Sequence, residues 1–329
     1  MSLFYTIVRA NKRIISIFLS KFGRVCIIQI QEYTEKSDIM LDINVKDVSL
    51  VLEGGTFRTV FTMGILDAFL DAGIMMPHIS GVSAGITYAG SYISQQKGRN
   101  IQILKKYRHD KRYMGIRNFL TDKSIFGLKF AYDTLVNELE PMDWETFRAY
   151  KGTMAVGVTN ARAGQINYMD GLKMDKSCRM LQATCAIPML FPAIEIDGQY
   201  YYDGGVCEPI TIHKAEADGY RKHIIILTRE KTYIKEKDKA NEFAARVLKH
   251  RFPNMIKPLL ERHDYYNAEV AYCNELEAKG QALLFRPDYP LVSMEKDIDK
   301  LQEGYDMGYQ QAMRRMEEIR VFCGLSNEK

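Results

Sequence analysis

The chain has 329 residues, of which 47% are hydrophobic, and a formal net charge of +4 at neutral pH. That length is enough for one large domain or two smaller ones, and the small charge, without a basic block interleaved with aromatic residues, argues against a nucleic-acid partner. The six cysteines include no CxxC pair and the six histidines have no metal-ligand spacing, so we expect a reducing, cytoplasmic location and no metal.

Residues 1–39 differ from the rest, because five basic residues precede the first acidic one, Glu32. Apolar residues recur there at helical spacing between Ile15 and Cys26, which predicts a basic amphipathic helix on a membrane surface. The apolar run is too short to span a bilayer. A poorly ordered tail before Met40 is the alternative. If residues 1–39 form the amphipathic helix, we expect peripheral contact with the inner membrane face in addition to the cytoplasmic location.

The pattern of a layered α/β fold begins near residue 47. Residues 47–53 form an apolar run typical of a buried parallel strand, and the run ends at Gly54 and Gly55. A helix with an apolar face between residues 60 and 69 follows. A second strand, turn and helix occupy residues 77–93. This succession predicts an α/β fold with a layer of helices against a sheet.

The remaining elements continue the same pattern. Residues 97–150 are more polar and predict a helical excursion beside the sheet. Asp197 and Gly198 predict a type I′ turn between two strands. Further predicted elements are strands at 151–160, 164–170, 223–228 and 281–285, a helix at 178–185, and a long helix around 301–312. We expect residues 40–230 to form the main domain, with residues 231–329 as a mainly helical extension packed on it.

Ser83 stands between Gly81 and Gly85 in the spacing G-x-S-x-G. Chance alone would produce such a spacing in this chain about one time in twenty. The motif gains meaning from its context, a strand before the serine and a helix after it, which exposes the hydroxyl of a nucleophile on a sharp turn. The structural alternative is a serine that caps a helix in a glycine-rich turn.

The glycines after the first strand suit a site for developing negative charge. Gly54 and Gly55 allow backbone N–H groups to converge, and such a nest can hold an oxyanion or a phosphate. A tight turn between strand and helix explains the same residues. The loop lacks the G-x-G-x-x-G spacing, so we expect no dinucleotide and no other cofactor.

The base that would activate Ser83 is the open question at this level. A histidine is the usual partner of a serine nucleophile, and four histidines follow it in the chain. They begin an apolar strand or lie in charged or proline-initiated segments. Asp203, at the end of a predicted hairpin before Gly204 and Gly205, is a different candidate, although aspartate before glycine usually forms a turn. The histidines are His213, His223, His250 and His263.

Three segments together resemble the patatin-like phospholipase family. They are residues 53–58 (EGGTFR), 81–85 (GVSAG) and 203–205 (DGG), in the order of that family. CAIPMLFP, before the hairpin, also resembles its bacterial members, and ERHDYYN resembles a tail of a bacterial subgroup. The resemblance covers a core of about 48–213. It implies a three-layer α/β/α fold with a mostly parallel central sheet.

The resemblance also implies an activity and roles for residues. It implies a serine esterase that cleaves lipid or phospholipid acyl esters through an acyl-enzyme, with Ser83 as nucleophile and Asp203 as general base, and without histidine. Partial burial of Asp203 would raise its pKa and improve proton transfer. The other implied positions are Gly54, Gly55, Thr56 and Arg58 at the oxyanion hole, Gly81 and Gly85 at the nucleophile turn, and Gly204 and Gly205 in support.

The sequence departs from the family pattern at Thr56 and Thr59, where the family has glycines. If residue 56 needs a positive φ, threonine is a poor occupant, because β-branched residues avoid that region. A non-catalytic lipid-binding or regulatory protein is therefore the alternative function. No cluster of the EF-hand type suggests calcium dependence.

Overall fold

The computed structural model describes the backbone of residues 5–10, 13–19 and 25–32 and all of residues 40–325. The chain divides into two compact units, Met1–Met40 and Leu41–Lys329. We describe each unit separately.

The N-terminal unit contains strands where the apolar spacing predicts a helix. β1 (Tyr5–Ala10), β2 (Arg13–Leu19) and β3 (Val25–Glu32) form an antiparallel sheet in the order β1-β2-β3. The prediction of an amphipathic helix between Ile15 and Cys26 is therefore wrong for the residues that form β2 and β3. The physical reason is the density of isoleucine and valine, which favour strands. The predicted contact of the basic side chains with a membrane lies outside the described residues.

The second unit is built on an eight-stranded, mostly parallel sheet, as predicted. Five strands run parallel in the order β11-β10-β4-β5-β6, and the others pair with β6 or with each other in antiparallel fashion. The strands are β4 (Val48–Leu52), β5 (His78–Val82), β6 (Thr153–Asn160), β7 (Gln165–Asp170), β8 (Ile194–Ile196), β9 (Gln199–Asp203), β10 (Lys222–Ile226) and β11 (Ala282–Phe285).

Helices cover the sheet and connect its strands. The predicted excursion between residues 97 and 150 consists of α3 to α5 and a π-helix, Phe130–Leu139. No helix in the described part of the chain is long and apolar enough to cross a membrane. The α-helices are α1 (Val60–Asp71), α2 (Ser83–Ile93), α3 (Arg99–Tyr107), α4 (Asn118–Thr121), α5 (Trp144–Ala149), α6 (Arg179–Thr184), α7 (Ile212–Ala217), α8 (Lys239–Leu248), α9 (Ile256–Leu260), α10 (Arg262–Ala278), α11 (Ile298–Arg314) and α12 (Met316–Phe322).

Alternate residues of the central strands enter different cores, which shows that helices lie on both faces of the sheet. Leu50 and Leu52 of β4 belong to the larger core, which α1, α2 and α11 complete. Val51, between them, belongs to a second core with α7 and α10. The strands are apolar on both faces for this reason, and the three-layer arrangement agrees with the prediction.

Helix α11 lies directly against α1, and this contact depends on two glycines. A Cβ at Gly64 would overlap the backbone at Tyr305, and one at Gly308 would overlap the backbone at Phe61. Such a close approach of two helix backbones is open only to residues without a side chain. The extension after residue 230 is thus part of the same unit, and its strand β11 extends the sheet.

The hairpin before Asp203 has the predicted turn. Asp197 and Gly198 have φ values of +50° and +73°. Positive φ at both central positions is the requirement of a type I′ turn, which matches the twist of the two strands it joins. The turn directs β9 back along β6 and so determines where Asp203 lies.

Candidate functional site

Strand β6 brings Ser83 and Asp203 to the same point. Val82, the last residue of β5, pairs with Gly157 of β6, and Asp203, the last residue of β9, pairs with the next residue, Val158. The last residue of β5 and the last residue of β9 pair with adjacent residues of β6, so the ends of the two strands flank the same point of β6. Two residues far apart in the sequence are therefore neighbours because both strands use one partner.

Ser83 lies on a strained turn between β5 and α2. Its φ is +55°, a left-handed conformation that a non-glycine residue adopts only where the surrounding structure enforces it. Its N–H donates to Thr184 Oγ1 (2.8 Å), and that hydroxyl donates to the carbonyl of Gly157 (2.6 Å). A Cβ at Gly85 would overlap the carbonyl of Glu53, so the glycine spacing reflects close packing around the turn.

The Ser83 hydroxyl lies close enough to the Asp203 carboxylate for hydrogen bonding with it to lower the pKa of the carboxyl group. Both residues are buried, with 7% and 6% of their surface exposed. Asp203 Oδ1 also accepts from the N–H of Gly205 (2.8 Å). Burial raises the pKa of Asp203 above its usual range, and the two hydrogen bonds and the charge of Arg262 oppose that rise. The carboxylate is thus a stronger base than an exposed aspartate.

Arg262 is a contributor that the sequence did not single out. It begins α10, and its Nε donates to the carbonyl of Gly205 (2.6 Å), directly after the aspartate turn. It lies in the stretch ERHDYYN, whose charged pattern is typical of a solvated helix face. The sequence signal that could have pointed to Arg262 was the resemblance of this stretch to a tail of a bacterial subgroup.

The loop after β4 presents main-chain N–H groups beside Ser83. The N–H of Glu53 donates to Ile226 O and that of Phe57 to Ser293 O, each at 3.1 Å. Within residues 40–325, no acceptor for the N–H groups of Gly54 and Gly55 is found. A Cβ at Gly54 would lie 2.8 Å from Ser83 Cβ, so only glycine allows this approach. Two amides are left for a ligand beside Ser83.

Thr56 adopts the positive φ that is unfavourable for a β-branched residue. Its φ is +53°, so a β-branched residue occupies the left-handed region. The Thr59 hydroxyl donates to the carbonyl of Thr56 and holds this turn. Strain of this kind is retained where neighbouring contacts over-determine the backbone.

Arg58 and Glu53 are joined through Thr228 at the side of the same loop. The N–H of Thr228 donates to Glu53 Oε2 (2.6 Å), and Arg58 Nε donates to Thr228 Oγ1 (3.4 Å). Burial raises the pKa of Glu53 and lowers that of Arg58, while the attraction between the two charges opposes both shifts. Glu53 follows β4 and Thr228 follows β10. Their contacts with each other and with Arg58 therefore support the glycine loop from both strands.

Two cavities meet at Ser83, and their linings differ. One, of about 120 Å³, is mainly apolar and lies under the helical excursion. The other, of about 420 Å³, is an open cleft that contains Asp203, the glycine loop and several cationic residues. Residues of the apolar cavity include Phe57, Tyr88, Tyr113, Phe126, Leu181 and Phe191.

None of the four candidate histidines is among the residues that line either cavity. His223 is buried in β10, where its Nδ1 is 2.8 Å from Ser49 Oγ, and burial lowers its pKa to about 4. His213 lies on α7 beside Glu216. The arrangement therefore favours Asp203 over a histidine as the partner of Ser83.

Cys185 is a second nucleophile-type side chain near Ser83. Its Sγ lies 3.3 Å from Thr87 Oγ1, and burial raises its pKa to about 11. A thiol with that pKa is neutral at physiological pH and is a weak nucleophile. In the described part of the chain, no group of histidine, cysteine and acidic residues could hold a metal ion.

A strained serine at the carboxyl edge of a mostly parallel sheet, beside a buried aspartate, defines an α/β protein with a hydrolase-type site. The model of the patatin-like phospholipase family matches residues 50–215, half of the chain. The protein therefore belongs to the patatin-like phospholipase family, a family of lipid acyl hydrolases. A second model, a domain of unknown function called DUF6363, matches residues 252–324.

Individual relatives are distant. The uncharacterized protein YjjU of Escherichia coli (strain K12) is 24% identical over 186 residues, which are 55% of this chain and 52% of that protein. The match thus spans about half the length of that curated relative. Among solved structures, VipD from Legionella pneumophila shares 14% identity at a TM-score of 0.43, over 94% of this chain and 71% of VipD.

Proposed function

We propose that this protein is a serine acyl hydrolase that cleaves lipid acyl esters with Ser83 as nucleophile and Asp203 as general base. The observation that carries the proposal is the placement of the Ser83 side chain beside the buried Asp203 carboxylate, at the junction of an apolar cavity and a polar cleft. Family membership supplies the class of substrate, a lipid ester.

Acylation follows from the positions of these groups. The Ser83 Oγ attacks the ester carbonyl carbon as its proton passes to Asp203, and the carbonyl oxygen becomes an oxyanion. The N–H groups of Gly54 and Gly55, with that of Thr56, donate to this oxyanion, because they belong to the loop beside Ser83 and have no acceptor within residues 40–325. Asp203 then returns the proton to the alcohol oxygen as the ester bond breaks.

Deacylation uses the same groups in reverse. A water molecule from the open cleft loses a proton to Asp203 and attacks the acyl carbon on Ser83. The second oxyanion collapses, the bond to Ser83 breaks, and Ser83 recovers its proton. The apolar cavity holds the acyl chain throughout, since that side of Ser83 is lined by aromatic and aliphatic side chains.

Labelling with a fluorophosphonate probe tests the nucleophile. We expect the wild-type protein to form a covalent adduct and Ser83→Ala to form none. Ser80→Ala is a matched control, because Ser80 is a buried serine of β5, the strand before Ser83, that bonds to Thr211 and lines neither cavity. An unlabelled wild-type protein, or a label on another serine, would contradict the proposal and favour a lipid-binding protein without turnover.

Asp203→Asn tests the base separately. This change keeps the shape of the side chain and the bond from Gly205 but removes the proton acceptor, so we expect ester hydrolysis to fall by about 10²-fold or more. Unchanged circular dichroism would show that the fold is retained. Turnover close to that of the wild type would refute the dyad.

A further inference from the structure

The apolar cavity extends from Ser83 along one face of helix α2. Ser83, Thr87 and Ser91 all line it, and their spacing of four residues places them on the same face of the helix. At the rise of an α-helix, the step from Ser83 to Ser91 corresponds to about 12 Å. The cavity therefore has an end that is remote from the proposed nucleophile.

Polar side chains lie at this remote end. Arg99 and Asn100, at the start of α3, line the cavity together with Ser91. The Ser91 hydroxyl donates to Asn100 Oδ1 (2.7 Å) and accepts from Arg99 Nη1 (3.0 Å). We call Ser91, Arg99 and Asn100 the distal cluster. Among the described residues that line the cavity, Arg99 is the only one with a charged side chain.

The charge of Arg99 is not balanced by a carboxylate in the described part of the chain. Arg99 Nε and Nη2 donate to the main-chain carbonyl of Glu140, at 3.1 and 2.6 Å. The carboxylate of Glu140 accepts instead from Lys106 and Tyr107. Among the described residues, no carboxylate oxygen lies within 4.0 Å of an Arg99 nitrogen. A guanidinium has more N–H donors than these contacts use, so Arg99 can also bind a ligand.

The position of Arg99 is unfavourable for a cation without a bound anion. Arg99 is the first residue of α3, and the helix dipole repels positive charge near the N-terminus of a helix. Burial lowers the pKa of Arg99 to about 10, while the charge of Glu140 opposes that shift. Arg99 is still charged at neutral pH, and an anion at the remote end of the cavity would offset both effects.

We propose that Arg99 determines acyl specificity by binding a carboxylate at the far end of the acyl chain. The inference rests on the proposed function, because it places the ester carbonyl at Ser83 and the acyl chain in the apolar cavity. A carboxylate is favoured because its two oxygens match the donors of a guanidinium. An apolar chain with a polar group at each end matches a cavity with Ser83 at one end and Arg99 at the other. The substrate class is thus a monoester of a linear dicarboxylic acid.

The length of the cavity sets the length of that chain. Bonds of about 1.5 Å that zigzag at tetrahedral angles advance an extended chain by about 1.25 Å each. A length of about 12 Å therefore accommodates roughly ten carbon atoms. We expect a decanedioate chain to reach Arg99 and a butyrate chain to end well short of it.

Esters of para-nitrophenol that differ only at the chain end test this specificity. The monoester of decanedioic acid and the ester of decanoic acid have the same number of carbon atoms, but only the first ends in a carboxylate. We expect kcat/KM of the wild type to be at least about tenfold higher for the decanedioate, since a charge-assisted hydrogen bond contributes a factor of about that size. Equal values, or a preference for the decanoate, would overturn the proposal.

Substitution of Arg99 tests whether this residue is the origin of the preference. We expect Arg99→Met to abolish the preference for the decanedioate and Arg99→Lys, which keeps the charge, to retain part of it. The kcat/KM for para-nitrophenyl butyrate, whose chain ends short of Arg99, measures any general effect on the fold, and the other two values are divided by it. If both variants keep the wild-type preference, Arg99 does not select the chain end and the proposal fails.

Lys105→Met is the matched control. Lys105 is an exposed lysine of the same helix and is not among the residues that line the cavity. Its loss removes one positive charge from α3 without altering the distal cluster, so we expect this variant to prefer the decanedioate as the wild type does. A loss of preference equal to that in Arg99→Met would mean that the net charge of α3 attracts the carboxylate, which would contradict the proposal.

Calorimetry keeps the test independent of turnover. In the Ser83→Ala variant, monomethyl decanedioate should bind at least about tenfold more tightly than methyl decanoate, and adding Arg99→Met should remove the difference. Equal binding of the two esters by Ser83→Ala would overturn the inference.

The two proposals fail in different ways. Labelling of Ser83 by the fluorophosphonate probe, together with equal binding of both methyl esters, would retain the acyl hydrolase and overturn the chain-end inference. Absence of labelling, together with selective binding that Arg99→Met abolishes, would overturn the hydrolase and retain the carboxylate site.

Discussion

Replacing Thr56 by glycine should stabilise the protein without removing a group that the proposed reaction uses. Thr56 has a φ of +53°, and the hydrogen bond from Thr59 goes to its main-chain carbonyl, which glycine retains. The proposed oxyanion donor at this position is a main-chain N–H, which glycine retains as well. The change therefore tests backbone strain at the site with few other consequences.

Two opposing terms determine the size of the effect. A left-handed conformation costs a residue with a Cβ roughly 1–2 kcal/mol, which glycine does not incur. Glycine loses more conformational freedom on folding, and this costs about 0.5–1 kcal/mol. We expect a net increase of about 0.5–1 kcal/mol in the free energy of unfolding. For a unit of this size that corresponds to a rise in Tm of roughly 1–2 °C.

Urea denaturation with constant m-value is the appropriate assay, and the structure offers two controls. Lys123 is exposed and has the same φ of +53° outside the site, so Lys123→Gly should give a comparable gain and leave activity unchanged. Thr56→Ala keeps a Cβ and should gain less than Thr56→Gly. Destabilisation by Thr56→Gly alongside stabilisation by Lys123→Gly would refute the assignment of strain to Thr56.

Two further changes give separate expectations. Arg262→Met removes a charge that lowers the pKa of Asp203, so the rise of kcat/KM with pH should move to higher pH, and Arg262→Lys should move it less; an unmoved profile would exclude this coupling. Gly54→Ala places a Cβ 2.8 Å from Ser83 Cβ and should reduce fluorophosphonate labelling at least about tenfold; normal labelling would show that the loop can move away.

Much of the main unit could be predicted from local patterns. The run before Gly54, the strand and helix around Ser83 and the Asp197–Gly198 turn all appear where the sequence placed them. Each depends on residues close together in the chain, either on apolar periodicity or on a conformation that few residues adopt. The conflict between threonine and a positive φ at residue 56 could also be predicted locally, because the turn to which a residue belongs determines the φ that it requires.

The N-terminal strands show where this reasoning failed. Between Ile15 and Cys26 the apolar positions satisfied a helical period, but β2 and β3, which pair with each other, are rich in isoleucine and valine over their full lengths. Spacing alone counts apolar positions and does not weigh the cost that β-branched side chains incur in a helix. Composition was the better guide in that segment.

By itself, the sequence determined the chemistry available to this protein: a serine on a sharp turn, glycines that free backbone amides, and an aspartate after a hairpin. The position of Asp203, rather than of one of the four histidines, beside Ser83 could not come from residue-level reasoning alone, because it depends on two strands that share β6 as a partner. The cleft beside Ser83 likewise exists only in the folded chain, where Arg229, Lys235 and Arg262 converge on it. Local sequence sets turns and strands, whereas burial, altered pKa values and convergent charges arise from contacts between distant residues.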